Sequence, residues 1–344
     1  SRSYEGWVGF FSTGDKVTAD DRSFSYGFTT QKDKTVKLTT ICAAYTDQKV
    51  FSVEDTLFSF KYTEYFRDIK EVAHYAIENR DAILDKTNFF DRVMTETGLD
   101  KSTLNLISYS FQSYLSNTWW MTNDEKKDWF TVWEGNCAYH STIDVEYNLA
   151  TFYLMLWPEL LEKTIEEWTN YEKPNGYMSH DIGKFLVGKG MEYSHDMEVE
   201  ENCNFILLNY ALYKFNGSSE VIKRNYEQLK RLSLYIKESD TTGNGFPNVG
   251  TANTIDDGCA AIQYAKEQTY LGIKALSAFT AMKQMALAKV DVEMVNICQE
   301  RIQTIEATLK KEAWLSDHYA TCINREAEGI KEVGTGEELR GCIE

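Results

Sequence analysis

Residues 132–159 read VWEGNCAYHSTIDVEYNLATFYLMLWPE. Glu134 stands on a Trp-Glu-Gly turn, and Asp144 follows ten residues later. Directly behind Asp144 comes VEYNLATFYLMLW (145–157), apolar on nearly every side of a helix. Such a helix must be enclosed by others. The next segment, PELLEKTIEEWTNY, opens with Pro158 and repeats Leu161, Ile165 and Trp168 at helical spacing with acids between them. It reads as an outer helix with one buried face. The contrast returns downstream. Residues 258–286 are full of Ala and Gly, whereas in 290–312 Val295, Cys298, Ile302, Ile305 and Leu309 form a single stripe. Buried helices alternating with amphipathic ones predict two concentric layers, so the expected fold is mainly α, an (α/α)6-type barrel. No short repeat of fixed period is evident.

Upstream the pattern differs. Residues 1–55 carry short runs rich in Thr, Val, Ile and aromatics, such as GWVGFF, SFSYGFTT and TVKLTTICAAY, broken by Gly. These read as strands. From about residue 60 Tyr62, Phe66, Ile69, Val72, Ala73, Ala76 and Ile77 share one helical stripe, and helix is expected to continue through 88–98 and 102–120. The reading therefore divides the chain into a β-rich segment, 1–55, from the end of a β-sandwich, and a helical catalytic domain, 56–344. Fewer helices are evident than a twelve-helix double ring needs, so the barrel is expected to be incomplete and the chain to be a segment of a longer polypeptide. Apolar faces left open would be covered by a second copy or a complementary chain segment.

The 344 residues carry a formal net charge of -17, which argues against nucleic acid or an anionic membrane as partner. No apolar run reaches membrane-spanning length. Seven scattered cysteines without a C-x-x-C read as reduced buried thiols, not a disulfide framework or zinc site. Unpaired cysteines and the absence of a signal peptide in this segment favour a cytoplasmic location.

Two loops, 171–196 and 238–258, hold most of the distinctive polar residues: His180, Asp181, His195, Asp196, Asp256 and Asp257. Acids before a helix are commonly caps. Glu134 and Asp256, however, both precede a tightly packed helix on loops that could share one barrel mouth. Trp119, Trp120, Trp129 and Trp133 crowd nearby in sequence. Paired carboxylates with aromatics beside them are what glycoside hydrolysis requires. A rival reading takes the His-Asp pairs, with His74 and His140, as a metal phosphohydrolase. Their spacing does not fit a cluster built on one helix, so no metal is assigned. Residues 240–245, DTTGNG, partly match a calcium loop, but Thr242 takes a ligand position and Thr251 stands where Glu should. A turn at Asp240 is the main reading and structural calcium the secondary one. No other cofactor is expected.

The order of these motifs resembles glycoside hydrolase families 52 and 116. Glu134-Gly135, Thr142-Ile143-Asp144, Met155-Leu156-Trp157-Pro158, HDIG at 180–183 and His195-Asp196 resemble family 116. NTIDDGCAAIQYAKEQTYLGIKA (253–275), with Tyr270-Leu271 and Lys274, is more similar to family 52. Ile143 and Ile255 stand where these families have aromatics. The resemblance spans roughly 130–290 and implies a β-sandwich with an (α/α)6 barrel. It also implies hydrolysis of β-glycosides with retention. Carried over, Glu134 would be the nucleophile and Asp256 the acid/base, their carboxyls about 5–5.5 Å apart. Asp144, His180 and Thr254 would bind substrate or support the site, with Trp133, Asp181 and His195 beside them. His180 would bond substrate hydroxyls and not a metal. The implied activity is that of a retaining exo-β-glycosidase on β-xylosides, acting on a glycoside or oligosaccharide. The alternatives are a β-glucosidase or glucosylceramidase-like hydrolase, a His-Asp metal phosphohydrolase and a non-catalytic sugar-binding barrel.

Overall fold

The computed structural model describes residues 5–20, 22–194, 197–217, 220–251, 254 and 265–324. Packing divides the chain into two units, Ser1–Trp129 and Phe130–Glu344. The sequence boundary after residue 55 is a change in composition. It falls inside the first unit, where a strand begins at Thr56.

In the first unit β1 (Trp7–Ser12) pairs antiparallel with β4 (Thr40–Tyr45), Trp7 facing Tyr45. Strands β2 (Lys16–Ala19) and β3 (Phe24–Gly27) form a separate hairpin. A two-residue turn with Glu54 in the left-handed region joins β5 (Phe51–Val53) to β6 (Thr56–Phe60), and β6 continues onto β7 (Thr118–Thr122). Asp68 caps α1 (Ile69–Glu78) by accepting the amides of Lys70 and Glu71, and Asp100 caps α3 (Lys101–Asn117) in the same way. Between them lies α2 (Arg80–Thr95). The rings of Phe51, Phe58, Trp119 and Trp129 pack together as the aromatic core of the strands.

The expected (α/α)6-type barrel is not what the described residues show. Helix makes up 51% of them, and strands recur within the stretch expected to form the helical barrel. Helix α3 stops at Asn117, and TWWMT then forms β7. DWFTV forms β8 (Asp128–Val132). Both runs mix β-branched and aromatic residues, whose stiff or bulky side chains suit a pleated surface better than a helix. Three two-residue strands follow in the second unit: β9 (Tyr139–His140), β10 (Gly183–Lys184) and β11 (Val187–Gly188), with β10 antiparallel to both others. The helix expected to be enclosed, α4 (Ile143–Leu156), is only partly so. Ile143 and Tyr153 are inaccessible, but Met155 is 76% exposed.

The inner and outer contrast does appear. Pro158 opens α5 (Pro158–Trp168), which buries Leu161, Ile165 and Trp168. Helix α6 (Glu198–Asn216) is buried over most of its surface and ends at Gly217 in the left-handed region. Helix α7 (Glu220–Glu238) buries Val221, Ile222, Leu229, Leu232 and Ile236, and turns Arg224 and Arg231 to Glu166 and Glu172. Small residues let α8 (Thr269–Lys289) pack against α6, and α9 (Val292–Thr308) packs back along α8. The loop ahead of α8 is closed by Asp240. Its carboxylate accepts from the amides of Thr242, Gly243 and Gly245 and from Arg301. Cys203, Cys298 and Cys322 are buried as expected, while Cys42 and Cys137 are exposed.

Gly272 marks the tightest approach on α8. A methyl there would sit 2.8–2.9 Å from three carbons of the fully buried Phe246 ring. Gly272→Ala should therefore lose more to overpacking, about 1–3 kcal/mol, than the ~1 kcal/mol it gains in helix propensity. A lower denaturant midpoint at unchanged slope is the expected result. An unchanged midpoint would mean that Phe246 swings aside.

Candidate active site

The turn after β8 positions Glu134. Trp133 bridges to His140 across it, Gly135 adopts φ 88°, and the Glu134 amide donates to the Tyr139 carbonyl at 3.2 Å. The returning chain passes through Ser141 at φ 44°, a conformation that a β-substituted residue holds only under restraint. The restraint is visible. Ser141 donates its amide to the Val132 carbonyl, its hydroxyl lies 3.0 Å from Thr131 Oγ1, and its carbonyl accepts from Trp168 Nε1 at 2.7 Å. Thr142 then donates its hydroxyl to Glu134. The next residue opens α4, with the Ile143 amide bonded to the His180 carbonyl at 3.0 Å. The β9–β10 pairing, Gly183 opposite His140, holds the His180 loop against the same turn.

The structure thus brings Glu134, Thr142, Asp144, His180 and Asp181 together. Asp181 is inaccessible and accepts from the amides of Gly183, Glu192 and Tyr193. Its Oδ2 lies 3.2 Å from His180 Nδ1, so it fixes the orientation of that ring. Tyr193 stacks on His180 at 4.4 Å and Tyr139 meets it edge-on. His180 Nε2 faces Asp144 Oδ1 at 3.9 Å, beyond hydrogen-bond distance. Trp133 stacks on His140, whose Nε2 is 2.6 Å from the Phe185 carbonyl. Burial lowers His140 to about 4, so its ring is neutral. Thr254 is buried, and among the described residues its hydroxyl has no partner. Asp256 and His195 lie outside the described residues.

Electrostatics separates these acids. Burial raises Glu134, helped by the charges of Asp144 and Asp181 and opposed by Thr142 and His180. Burial likewise raises Asp144, against the pull of His180. For His180 burial acts downward, but the Asp181 hydrogen bond and the Asp144, Asp181 and Glu134 charges outweigh it and raise the imidazole.

Four further groups were not singled out for the site from the sequence. Glu146 is fully buried, accepts from Tyr153 Oη at 2.6 Å, and is raised by burial to about 8. Glu200 accepts from Lys274 Nζ at 2.9 Å and Tyr270 Oη at 2.6 Å. The Lys274 ammonium lies over the Tyr147 and Tyr270 rings, each 4.8 Å away. Glu201, beside Glu200 on the first turn of α6, is inaccessible and raised well above the carboxylate range by burial. In sequence the MEVEEN run (197–202) looks like ordinary acid enrichment at a helix start. Its one available signal is that the same helix continues as FILL, which is apolar on all sides.

A carboxyl that keeps its proton only when folded makes folding weaken as pH rises from the ordinary carboxylate range to its folded value. Across about pH 4.5 to 8 Glu146 should cost ~1.4 kcal/mol per pH unit. Glu146→Gln should remove one proton's worth of that slope in denaturant titrations repeated across this range. Parallel slopes for the two proteins would show that Glu146 ionises normally.

The chain is similar to several known proteins. The chain is 24% identical over 186 residues to a β-xylosidase of Geobacillus stearothermophilus, covering 53% of this chain and 26% of that protein. A second β-xylosidase of the same organism is 23% identical over 172 residues, covering 50% of this chain and 27% of that protein. The matched stretch thus spans about a quarter of the length of these curated relatives. Among solved structures, an α-L-rhamnosidase from Dictyoglumus thermophilum aligns with TM-score 0.40 and 14% identity, over 54% of this chain and 20% of that chain. Over the stretch matched to the β-xylosidases the sequence is similar to glycoside hydrolases, and the finer assignment to families 52 and 116 gives way to that coarser statement. Residues 103–325, most of the chain, match the family described as the glutaminase A six helical-hairpin domain, and the chain belongs to that family.

Proposed function

We propose that this chain carries the nucleophile of a retaining glycoside hydrolase acting on β-xylosides, with Glu134 in that role. The observation that carries the reading is the setting of Glu134. It is the half-buried acid of the cluster, held by Thr142 on a restrained turn with Asp144 and His180 behind it. A carboxylate so placed is positioned and partly desolvated, as nucleophilic attack requires. The β-xylosidase relatives support the choice of sugar.

In this mechanism a Glu134 oxygen bonds to the anomeric carbon as the aglycone oxygen departs with a proton from Asp256. Asp256 then takes a proton from water, whose oxygen displaces Glu134 and restores the carboxylate. Trp133, Asp144, Thr254, Asp181 and His195 serve as substrate-side or supporting positions. Because Glu134 must be ionised to attack, activity should rise as pH increases through its raised value.

A second reading follows from the family description, which names glutaminase A: hydrolysis of the glutamine side-chain amide. The two are separated by assaying the full protein on aryl β-xylosides, aryl β-glucosides and L-glutamine. Aryl xyloside turnover without ammonia release from glutamine is the expected outcome. The reverse would replace the glycosidase reading.

Glu134→Ala should lower kcat on the order of 10⁴-fold or more. Azide should restore part of it and yield a glycosyl azide of inverted configuration. Asp256→Ala should spare aryl xylosides with good leaving groups and cripple poor ones, since only the latter need protonation. Equal losses on both would remove Asp256 from the acid role. A Glu134→Ala protein with ordinary activity would end the mechanism.

A further inference from the structure

We propose that Asp144, His180 and Glu201 hold a divalent cation of the zinc or manganese kind. The proposal goes beyond the glycosidase reading and does not depend on it. One ligand atom from each residue lies within 4.8 Å of the other two. Three atoms that close together all lie within about 2.8 Å of one common point, a span that includes the ~2.0–2.2 Å of zinc bound to nitrogen and oxygen. A point equidistant from Asp144 Oδ1 and His180 Nε2, which are 3.9 Å apart, is at least about 2 Å from each, so their separation suits a shared ion better than a direct bond.

Two independent observations point to a ligand. Glu201 is 0% exposed, and among the described residues its Oε1 has no hydrogen-bond partner. Among the same residues its other oxygen has only a long contact, accepting from Asn204 Nδ2 at 3.4 Å. The buried ammonium of Lys274 is bonded to Glu200 and Tyr270. A buried carboxyl oxygen left like this is costly unless something positive meets it. Second, His180 is prepared as a ligand. Asp181, held by three backbone amides, engages Nδ1 and leaves Nε2 directed at Asp144. A carboxylate behind a histidine is the usual support for a metal-bound imidazole. One imidazole with two carboxylates matches borderline divalent ions.

This departs from the sequence expectation that His180 meets only substrate hydroxyls. That expectation tested for ligands spaced along one helix. Here they come from α4, the 171–196 loop and α6, which no local spacing displays.

The test is equilibrium dialysis of the full protein against micromolar free Zn²⁺ or Mn²⁺, with bound metal counted by mass spectrometry. The wild type should retain one equivalent. Glu201→Gln should weaken retention about tenfold or more, while Glu162→Gln, a surface change, should not. If Glu201→Gln does not fold, Asp181→Asn is read in its place, with a similar loss expected because the His180 ring loses its support. Wild-type protein that retains no ion overturns the proposal and leaves protons as the neutralising charge. Retention unaltered by the variants overturns it as well, since the ion would then lie elsewhere.

Discussion

Burial of carboxyl groups is the constraint on which the second unit depends. Asp144, Glu146, Glu200 and Glu201 are all nearly or wholly inaccessible. An ionised carboxylate in such surroundings is costly unless paired, so each must be neutralised in its own way. Glu200 has Lys274, with Tyr270 donating a second hydrogen bond. Asp144 has His180 nearby, itself held by Asp181. Glu146 keeps its proton and takes the Tyr153 hydroxyl. These pairings tie α4 to the His180 loop and α6 to α8. The polar interior therefore specifies which helices neighbour one another, in addition to the apolar contacts that hold them.

The same constraint accounts for the short strands. A loop carrying buried acids cannot leave its own amides unpaired. Residues 171–194 meet this with two-residue strands and with Asp181, which accepts from three of their amides. Backbone pairing here serves to position side chains more than to build a sheet core.

Part of this was legible in sequence. The alternation of all-round apolar and one-sided helices identified α5 as an outer helix and α8 with α9 as buried and outer partners, because burial periodicity is a local property of the chain. Glu134, Asp144, His180 and Asp181 were singled out because acids and His-Asp pairs stand out beside Gly-containing turns, and the structure places these four together. Strand β7 was missed because its Thr-Trp-Trp start, directly behind a strong helix, was absorbed into that helix's period, and β8 was given no assignment. The exposed side of α4 was missed because composition shows that a face is apolar, not what covers it. Glu200 and Glu201 were missed for a different reason. An acidic helix start is normally solvated, and only the fold reveals that α6 begins inside the protein.

Burial also sorts groups that are chemically alike. Glu134 retains solvent contact and an oriented hydroxyl donor, while Asp144 is almost closed off and Glu201 entirely so. Along that gradient the cost of ionisation rises, which is why the proposed mechanism gives the reacting role to Glu134. The strained φ of Ser141 belongs to the same arrangement. Without the hydrogen bonds from Thr131, Val132 and Trp168 the backbone would relax toward the helical or extended region and carry Thr142 away from Glu134. Glu134 would then lose its only hydroxyl donor among the described residues, and its ionised form would be harder still to reach. The turn geometry and the acidity of Glu134 are therefore one feature, set by how tightly the core grips a single serine.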